Sequence, residues 1–151
     1  MRIRLGNFWN TLVLDSQFRN GGDLTAEKEV LRSCMDLPSA YELCLSLPHA
    51  EATTPFGPDV VVFKVAGKVF ALTSPDEFPP RMNLKCDPDR AEELREEHAS
   101  IQPGYHMNKR HWNTLTLDGS LPGSLVRELI YHSYDLVVAA LPAVRRRELG
   151  I

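Results

Sequence analysis

One segment of the chain, residues 104–114, concentrates side chains that bind nucleic acids. It reads G-Y-H-M-N-K-R-H-W-N-T, so two histidines, two asparagines, two cations and two aromatic rings fall within eleven residues. Cations neutralise phosphates, amides read base edges, and aromatic rings stack on bases. We therefore predict a DNA-contacting loop, with the candidate residues His106, Asn108, Lys109, Arg110, His111 and Trp112.

Several of these residues also have a purely structural interpretation. A tryptophan at the start of a strand commonly anchors a loop to the core, and we expect Tyr105 to pack rather than react. Asn113 is predicted to cap a turn through its side-chain amide. Adjacent cations are common on solvated loops, so Lys109 and Arg110 contact either phosphate or water.

A predicted strand supplies two more candidate contacts. Residues 81–86 alternate polar and apolar side chains, which is typical of a strand with one buried face. Arg81 and Lys85 lie on the polar face and extend the predicted DNA-binding surface.

The sequence contains no recognised catalytic or cofactor motif. G-x-S-x-G, the P-loop pattern and G-x-G-x-x-G are absent, and His106 and His111 lack further ligands at a zinc-binding spacing. We therefore predict no catalytic residue, metal or cofactor. An enzyme is the third alternative, and it requires Tyr105, His106 and Trp112 to converge on a small-molecule pocket beside Phe56.

Composition favours one globular domain that binds DNA only locally. The 151 residues are 43% hydrophobic, and the net charge of -3 with a pI near 5.9 excludes binding through bulk positive charge. The odd number of cysteines, three, is typical of reduced thiols. Without a membrane-length apolar run or a signal-peptide pattern, we expect a soluble cytoplasmic protein with no membrane partner.

The periodic patterns predict an α+β two-layer sandwich with helices packed on a mainly antiparallel sheet. The order is helix, three strands, helix, one or two strands, helix. The strands are expected at residues 60–65, 68–72, 81–86 and 112–117, and the helices begin near residues 36, 87 and 122. The predicted core is formed by Val60, Val62, Val69, Ala71, Leu84, Leu115, Leu117, Leu125, Leu129 and Leu136.

The same patterns divide the chain into three parts. Residues 1–35 are an N-terminal extension of uncertain order, with a short helix expected over 25–34. Residues 36–142 form the domain, and residues 143–151 form a basic C-terminal tail beyond Pro142.

Four segments carry a family resemblance. They are P-F-G-P-D-V-V-V-F-K-V from Pro55, R-M-N-L-K-C-D-P from Arg81, P-G-Y-H-M-N-K-R-H-W-N-T from Pro103 and H-S-Y-D-L-V-V from His132. Together they closely resemble the MmcQ/YjbR family over residues 36–142. The resemblance implies an α-β(3)-α-β(2)-α two-layer domain, similar to type-III secretion chaperones and frataxin-like proteins. It also implies DNA binding, the usual label of that family, but no catalytic residues.

Two classes of function therefore stand ahead of catalysis. The first is a small DNA-binding module that uses the loop and the polar face of the predicted strand. The second is a protein-binding adaptor that uses its sheet or an acidic helix, and the acidic pI favours it. The glutamates of that predicted helix are Glu92, Glu93, Glu96 and Glu97.

Overall fold

A computed structural model describes residues 34–151, in which six strands form one antiparallel sheet. The strands are β1 (Ala50–Thr53), β2 (Val61–Val65), β3 (Lys68–Thr73), β4 (Arg81–Lys85), β5 (Ile101–Pro103) and β6 (Trp112–Thr116). Their order across the sheet is β1-β2-β3-β4-β6-β5. The predicted α+β class is confirmed.

Four helices accompany the sheet: α1 (Leu37–Ser46), α2 (Pro88–Glu97), α3 (Gly123–Ala139) and α4 (Ala143–Leu149). Two of them begin as the sequence predicts. Asp36 accepts a hydrogen bond from Ser39 N–H at 2.9 Å, and Asp87 accepts from Asp89 N–H at 3.1 Å. Each cap satisfies a backbone donor that the first helical turn leaves unpaired. None of the helices within residues 34–151 is both long and apolar enough to span a membrane.

The core lies between the helices and one face of the sheet. α3 crosses β2, β3 and β4 and also packs against α1. Its inward stripe recurs at helical spacing and consists of Val126, Leu129, Ile130, Tyr134 and Val137. The ring of Tyr134 meets Phe70 of β3 edge-on, with centroids 5.5 Å apart. Aromatic packing of this kind fixes how α3 sits on the sheet.

The predicted core is correct for five of its ten residues: Ala71, Leu84, Leu115, Leu117 and Leu129. Val62 is also buried, but its register with Leu72, which pairs with Asn83, places it on the opposite face of the sheet. Val60, Val69, Leu125 and Leu136 are half-buried. The β2–β3 register shifts after Phe63, where β3 carries Phe70 as an extra residue. The bulge turns Phe70 inward and leaves Val69 at the margin. In α3, the buried stripe includes Val126 and Val137, whereas the prediction named Leu125 and Leu136.

The structure adds β1 and α4 to the predicted order, and β5 is the second of the one or two strands expected between the last two helices. β1 and β5 are short edge strands, and their sequences AEAT and IQP carry little strand signal of their own. They form because each pairs with a longer neighbour. α4 replaces the tail expected over 143–151, and it ends at Gly150 in the left-handed conformation.

The predicted helix over 25–34 lies outside the described residues except for Cys34. That residue forms an isolated antiparallel bridge with Pro122, and its thiol donates to Gly119 O at 3.4 Å. Met35, which the sequence places in the extension, is buried in the core. The core thus includes at least one residue before Asp36.

The opposite face of the sheet is polar where β4 and β6 meet. Met82 and Leu84 are buried in the core, so strand alternation places Arg81, Asn83 and Lys85 on the other side. Asn83 is the register partner of Thr114 on β6. We call the surface formed by Arg81, Asn83, Lys85 and Thr114 the polar face.

Candidate nucleic-acid interface

The loop between β5 and β6, residues 104–111, is held by hydrogen bonds of its own backbone. Gly104 N–H donates to Trp112 O at 2.8 Å, and Trp112 N–H donates to Asn108 O at 3.0 Å. The Asn108 side-chain oxygen accepts from Arg110 N–H at 3.0 Å, which closes a turn. A Cβ at position 104 would lie 2.7 Å from the Trp112 Cβ, so glycine is needed there. The loop therefore has a defined shape.

The tip of this loop presents its polar side chains to solvent. The exposed candidates are His106, Asn108, Lys109 and Arg110. Arg95 of α2 donates to Lys109 O at 3.0 Å, so the tip lies beside that helix. α2 carries the exposed glutamates Glu92, Glu93, Glu96 and Glu97. The predicted basic loop and the predicted acidic helix are therefore neighbours.

Tyr105 turns from the loop toward the polar face. Its backbone N–H donates to Thr114 Oγ1 at 3.0 Å, and its ring centroid lies 5.5 Å from the guanidinium carbon of Arg81. The ring of His106 lies 4.0 Å away, centroid to centroid. Tyr105 is 60% exposed, so its ring packs against His106 and Arg81 at the surface and not in the core. The chain turns back to β6 at Tyr105, a contact that the sequence pattern does not reveal.

Arg81 is placed on the polar face as predicted, but a carboxylate compensates its charge. Its guanidinium donates to Glu77, which lies four residues earlier in the loop before β4. That hydrogen bond raises the pKa of Arg81 further above its usual value. The pair brings one positive and one negative group to the same point, so Arg81 adds no net charge to the surface.

A shallow pocket of about 150 Å³ opens on the polar face beside this ion pair. Its walls combine hydroxyls, an amide, an aromatic ring and the ion pair, and the lining residues are Thr73, Ser74, Glu77, Arg81, Asn83, Tyr105 and Thr114. Thr114 Oγ1 donates to Asn83 Oδ1 while it accepts from Tyr105 N–H. Because Asn83 Oδ1 accepts from Thr114, the orientation of the Asn83 amide is fixed and its NH₂ group stays available. The Asn83 NH₂ group donates to no other residue among 34–151.

The remaining candidates cluster at the other end of β4. Lys85 is the register partner of Trp112, and His111 O accepts from Cys86 N–H at 2.8 Å. Lys85, His111 and Trp112 are all half-buried. Lys85 and Arg81 are separated by four strand residues, a distance of about 13 Å. The eight candidates therefore divide between a loop tip, a strand end and an ion pair.

Asn113 does not cap a turn, contrary to the prediction. It is 2% exposed and lies within β6, where its amide donates to Ala91 O of α2 at 3.4 Å. The turn-capping amide belongs to Asn108 instead. Asn113 alternates with Thr114, and this places its side chain on the helix side of the sheet. Its role is to tie β6 to α2.

The motif that begins at His132 has a structural role that could not be predicted from its sequence. Ser133 donates to Phe70 O and accepts from Lys85 N–H, so one hydroxyl joins α3 to β3 and β4. Tyr134 donates to Pro48 O at 2.7 Å. His132 Nε2 accepts from Asp87 N–H at 3.2 Å. These polar side chains anchor α3 to the start of β1, the sheet and the start of α2.

Two of the cysteine thiols in the described residues are buried. Burial raises the pKa of the Cys44 thiol to about 12, and burial also raises the pKa of Cys86. Both thiols are therefore protonated at neutral pH. Across residues 34–151, no three His, Cys, Asp or Glu side chains are grouped closely enough to hold a metal ion.

Comparison with known proteins identifies relatives across most of the chain. Residues 45–136 match the model of the YjbR family. The chain is 42% identical to the Escherichia coli protein YbdF over 111 residues, which cover 71% of this chain and 91% of YbdF. It is 36% identical to YjbR of Escherichia coli K12 over 115 residues, which cover 76% of this chain and 98% of YjbR. The names of these relatives state no activity, ligand or partner.

Solved structures agree with this relationship. A Deinococcus radiodurans protein is 43% identical and superposes with a TM-score of 0.73, covering 80% of this chain and 90% of its own. A Pseudomonas syringae protein is 28% identical, with a TM-score of 0.60 and coverage of 68% of this chain and 98% of its own. The chain therefore belongs to the YjbR family.

Proposed function

We propose that this domain is a small DNA-binding module whose loop 104–111 contacts phosphates through Lys109 and Arg110. The observation that carries the proposal is the presentation of these two cations. Both side chains are exposed, and neither forms an ion pair within residues 34–151. Hydrogen bonds fix the backbone that carries them. A preorganised backbone reduces the entropy lost when a loop binds its ligand.

The other candidates contribute unequally to the proposed interface. His106 and Asn108 are exposed on the same loop and offer hydrogen bonds to sugar or phosphate oxygens. Trp112 is half-buried and positions the loop against Gly104 rather than stacking on a base. Arg81 is ion-paired with Glu77, so we assign it no phosphate contact.

The electrostatic attraction between this interface and DNA acts only over short distances. The chain has a net charge of -3, and the loop tip contacts a helix with an acidic exposed surface. At physiological ionic strength, charges separated by more than about 8 Å are largely screened from one another. Attraction of DNA therefore depends on the close approach of Lys109 and Arg110, and affinity should fall steeply as salt rises.

The proposal is tested by DNA affinity measured at low salt. Lys109→Ala with Arg110→Ala removes both proposed phosphate contacts and should weaken binding of a mixed-sequence DNA. The matched control is Arg145→Ala with Arg147→Ala, which removes two exposed cations from α4. α4 contacts His49, just before the edge strand β1, at the opposite edge of the sheet from β5 and β6.

A specific loss in the loop variant supports the proposal. Equal losses in the loop variant and the control would show that only net charge matters. Failure of the unaltered protein to bind DNA at low salt would reject DNA binding itself.

A protein-binding adaptor is the second candidate, and two exposed aromatic rings favour it. Phe56 is 74% exposed and Phe78 is 92% exposed. They lie in the β1–β2 and β3–β4 loops, at the same end of the sheet. Exposed aromatic side chains are enriched in protein interfaces. Under this candidate, Phe56→Ser with Phe78→Ser abolishes partner binding in a co-purification assay while the fold is retained.

A further inference from the structure

The pocket on the polar face has the size of a single six-membered ring. A cavity of about 150 Å³ is known to hold benzene, and the pocket measures about 150 Å³. It is open to solvent, and Tyr105 in its lining is 60% exposed. A ligand therefore inserts one ring from the surface while the rest of the molecule stays outside.

The charges of the pocket favour a neutral ligand. Its seven lining residues include one cation, Arg81, and one carboxylate, Glu77, and these two are paired with each other. A phosphate placed here would meet Glu77 as well as Arg81. Because the pair is already neutral, an uncharged heterocycle enters without leaving either ion unpaired.

The walls offer both stacking surfaces and hydrogen bonds. Bases stack on aromatic rings and on guanidinium planes, and Tyr105 and Arg81 supply one of each. The Asn83 NH₂ group has two unused donors, and the hydroxyl of Ser74 donates or accepts. The carbonyl oxygens of a pyrimidine accept such hydrogen bonds, and its ring matches the size of the pocket.

We infer that this pocket receives an unpaired pyrimidine base of single-stranded DNA, stacked on Tyr105 and hydrogen-bonded to Asn83. The inference rests on the proposed DNA binding and specifies the form of the DNA. A paired base presents neither a free face nor its pairing edge, so a duplex cannot fill the pocket. Lys109 and Arg110 remain the phosphate contacts, because the pocket itself carries no net charge.

The experiment compares four ligands of equal length by fluorescence anisotropy. They are a single-stranded oligothymidylate, the same strand annealed to its complement, a single-stranded oligoadenylate and an abasic strand with the same phosphates. The expected order places oligothymidylate first. Binding of the duplex, the adenine strand or the abasic strand as tightly as oligothymidylate would overturn the inference.

Two variants at Tyr105 separate the base from the phosphates. Tyr105→Ala should weaken oligothymidylate binding about 5- to 150-fold, the effect typical of removing an aromatic ring that stacks on a base. Tyr105→Phe keeps the ring and should retain the affinity. Neither variant removes a cation, so the salt dependence of binding should be unchanged in both. Because Tyr105 is 60% exposed, both variants should fold, which chemical denaturation confirms.

The outcomes distinguish the inference from the proposed function. If Tyr105→Ala binds oligothymidylate as the unaltered protein does, the pocket is not the base site, although phosphate binding by the loop still stands. If the unaltered protein binds none of the four ligands at low salt, the DNA-binding proposal fails and the inference fails with it.

Discussion

The loop 104–111 and the helical motif 132–134 use their polar side chains in opposite ways. In α3, the hydroxyls of Ser133 and Tyr134 are buried and bind carbonyl oxygens of β3 and of the α1–β1 turn. In the loop, Lys109 and Arg110 are exposed, and within residues 34–151 only their backbone atoms form hydrogen bonds to other residues. Polar groups in the first segment stabilise the fold, and those in the second remain available to a ligand.

This difference predicts where substitutions act. A buried hydroxyl that loses its partners leaves unsatisfied donors or acceptors, which lowers stability. An exposed cation contributes little to stability but can contribute strongly to the binding of phosphates. Substitutions in α3 should therefore change the free energy of unfolding, and substitutions in the loop should change DNA affinity.

The largest expected effect is on the packing of α3. Leu129 is 3% exposed in the core, and Leu129→Ala should lower the free energy of unfolding by about 2–5 kcal/mol. Chemical denaturation measures this directly. A loss below about 0.5 kcal/mol would show that Leu129 does not face the core.

Ser133→Ala should have the next largest effect. The substitution leaves Lys85 N–H and Phe70 O without their side-chain partner in a buried site. We expect a loss of about 2–4 kcal/mol, since each unsatisfied buried group costs about 1–3 kcal/mol. Ser124→Ala, at an exposed serine of the same helix, is the matched control and should change stability by less than about 0.5 kcal/mol. Equal effects at both serines would contradict the anchoring role.

A smaller effect should appear as pH dependence at His132. Burial, with the nearby positive charge of Arg90, lowers the pKa of His132 below its usual value of 6.5. The neutral ring accepts a hydrogen bond from Asp87 N–H. The unfolded chain therefore binds this proton at a higher pH than the folded chain does. Stability from this site is present above about pH 6.5 and decreases as pH falls toward the lower folded pKa.

Comparison of the unaltered protein with the His132→Gln variant isolates the contribution of His132 to stability. The free energy of unfolding is measured for both proteins at several pH values between about 7.5 and 5. The unaltered protein should lose more stability on acidification than the variant, because the other histidines are shared. Identical pH dependence in the two proteins would show that His132 does not titrate differently on folding.

Features encoded by neighbouring residues could be predicted from the sequence. Asp87 and Pro88 predict the start of α2 because the cap and the first-turn proline are local. The alternation over 81–86 predicts β4 and its polar face for the same reason. The fold class follows from the order of such local patterns.

Features that depend on distant contacts could not be predicted. β1 forms through its pairing with β2, and the bulge at Phe70 displaces Val69 from the core. Tyr105 is exposed because the loop returns to Thr114, which lies nine residues later in the chain. The neutralisation of Arg81 by Glu77 depends on the shape of the β3–β4 loop. The sequence therefore predicts candidate residues by their chemical type, whereas the position of each one required the structure.

The comparison of the two segments requires that the cations of the loop do not stabilise the fold. Lys109→Ala with Arg110→Ala removes two exposed cations, so the free energy of unfolding should change by less than about 0.5 kcal/mol. A larger loss would place these side chains among the groups that stabilise the fold.

The most direct test is the salt dependence of DNA binding by this folded double variant. Each phosphate contact on duplex DNA contributes about 0.9 to the slope of log K against log salt concentration. If both cations contact phosphate, the variant should show a slope reduced by about two units, while Arg145→Ala with Arg147→Ala should retain the slope of the unaltered protein. An unchanged slope in the folded loop variant would contradict phosphate binding by this loop and leave the protein-binding adaptor as the favoured function.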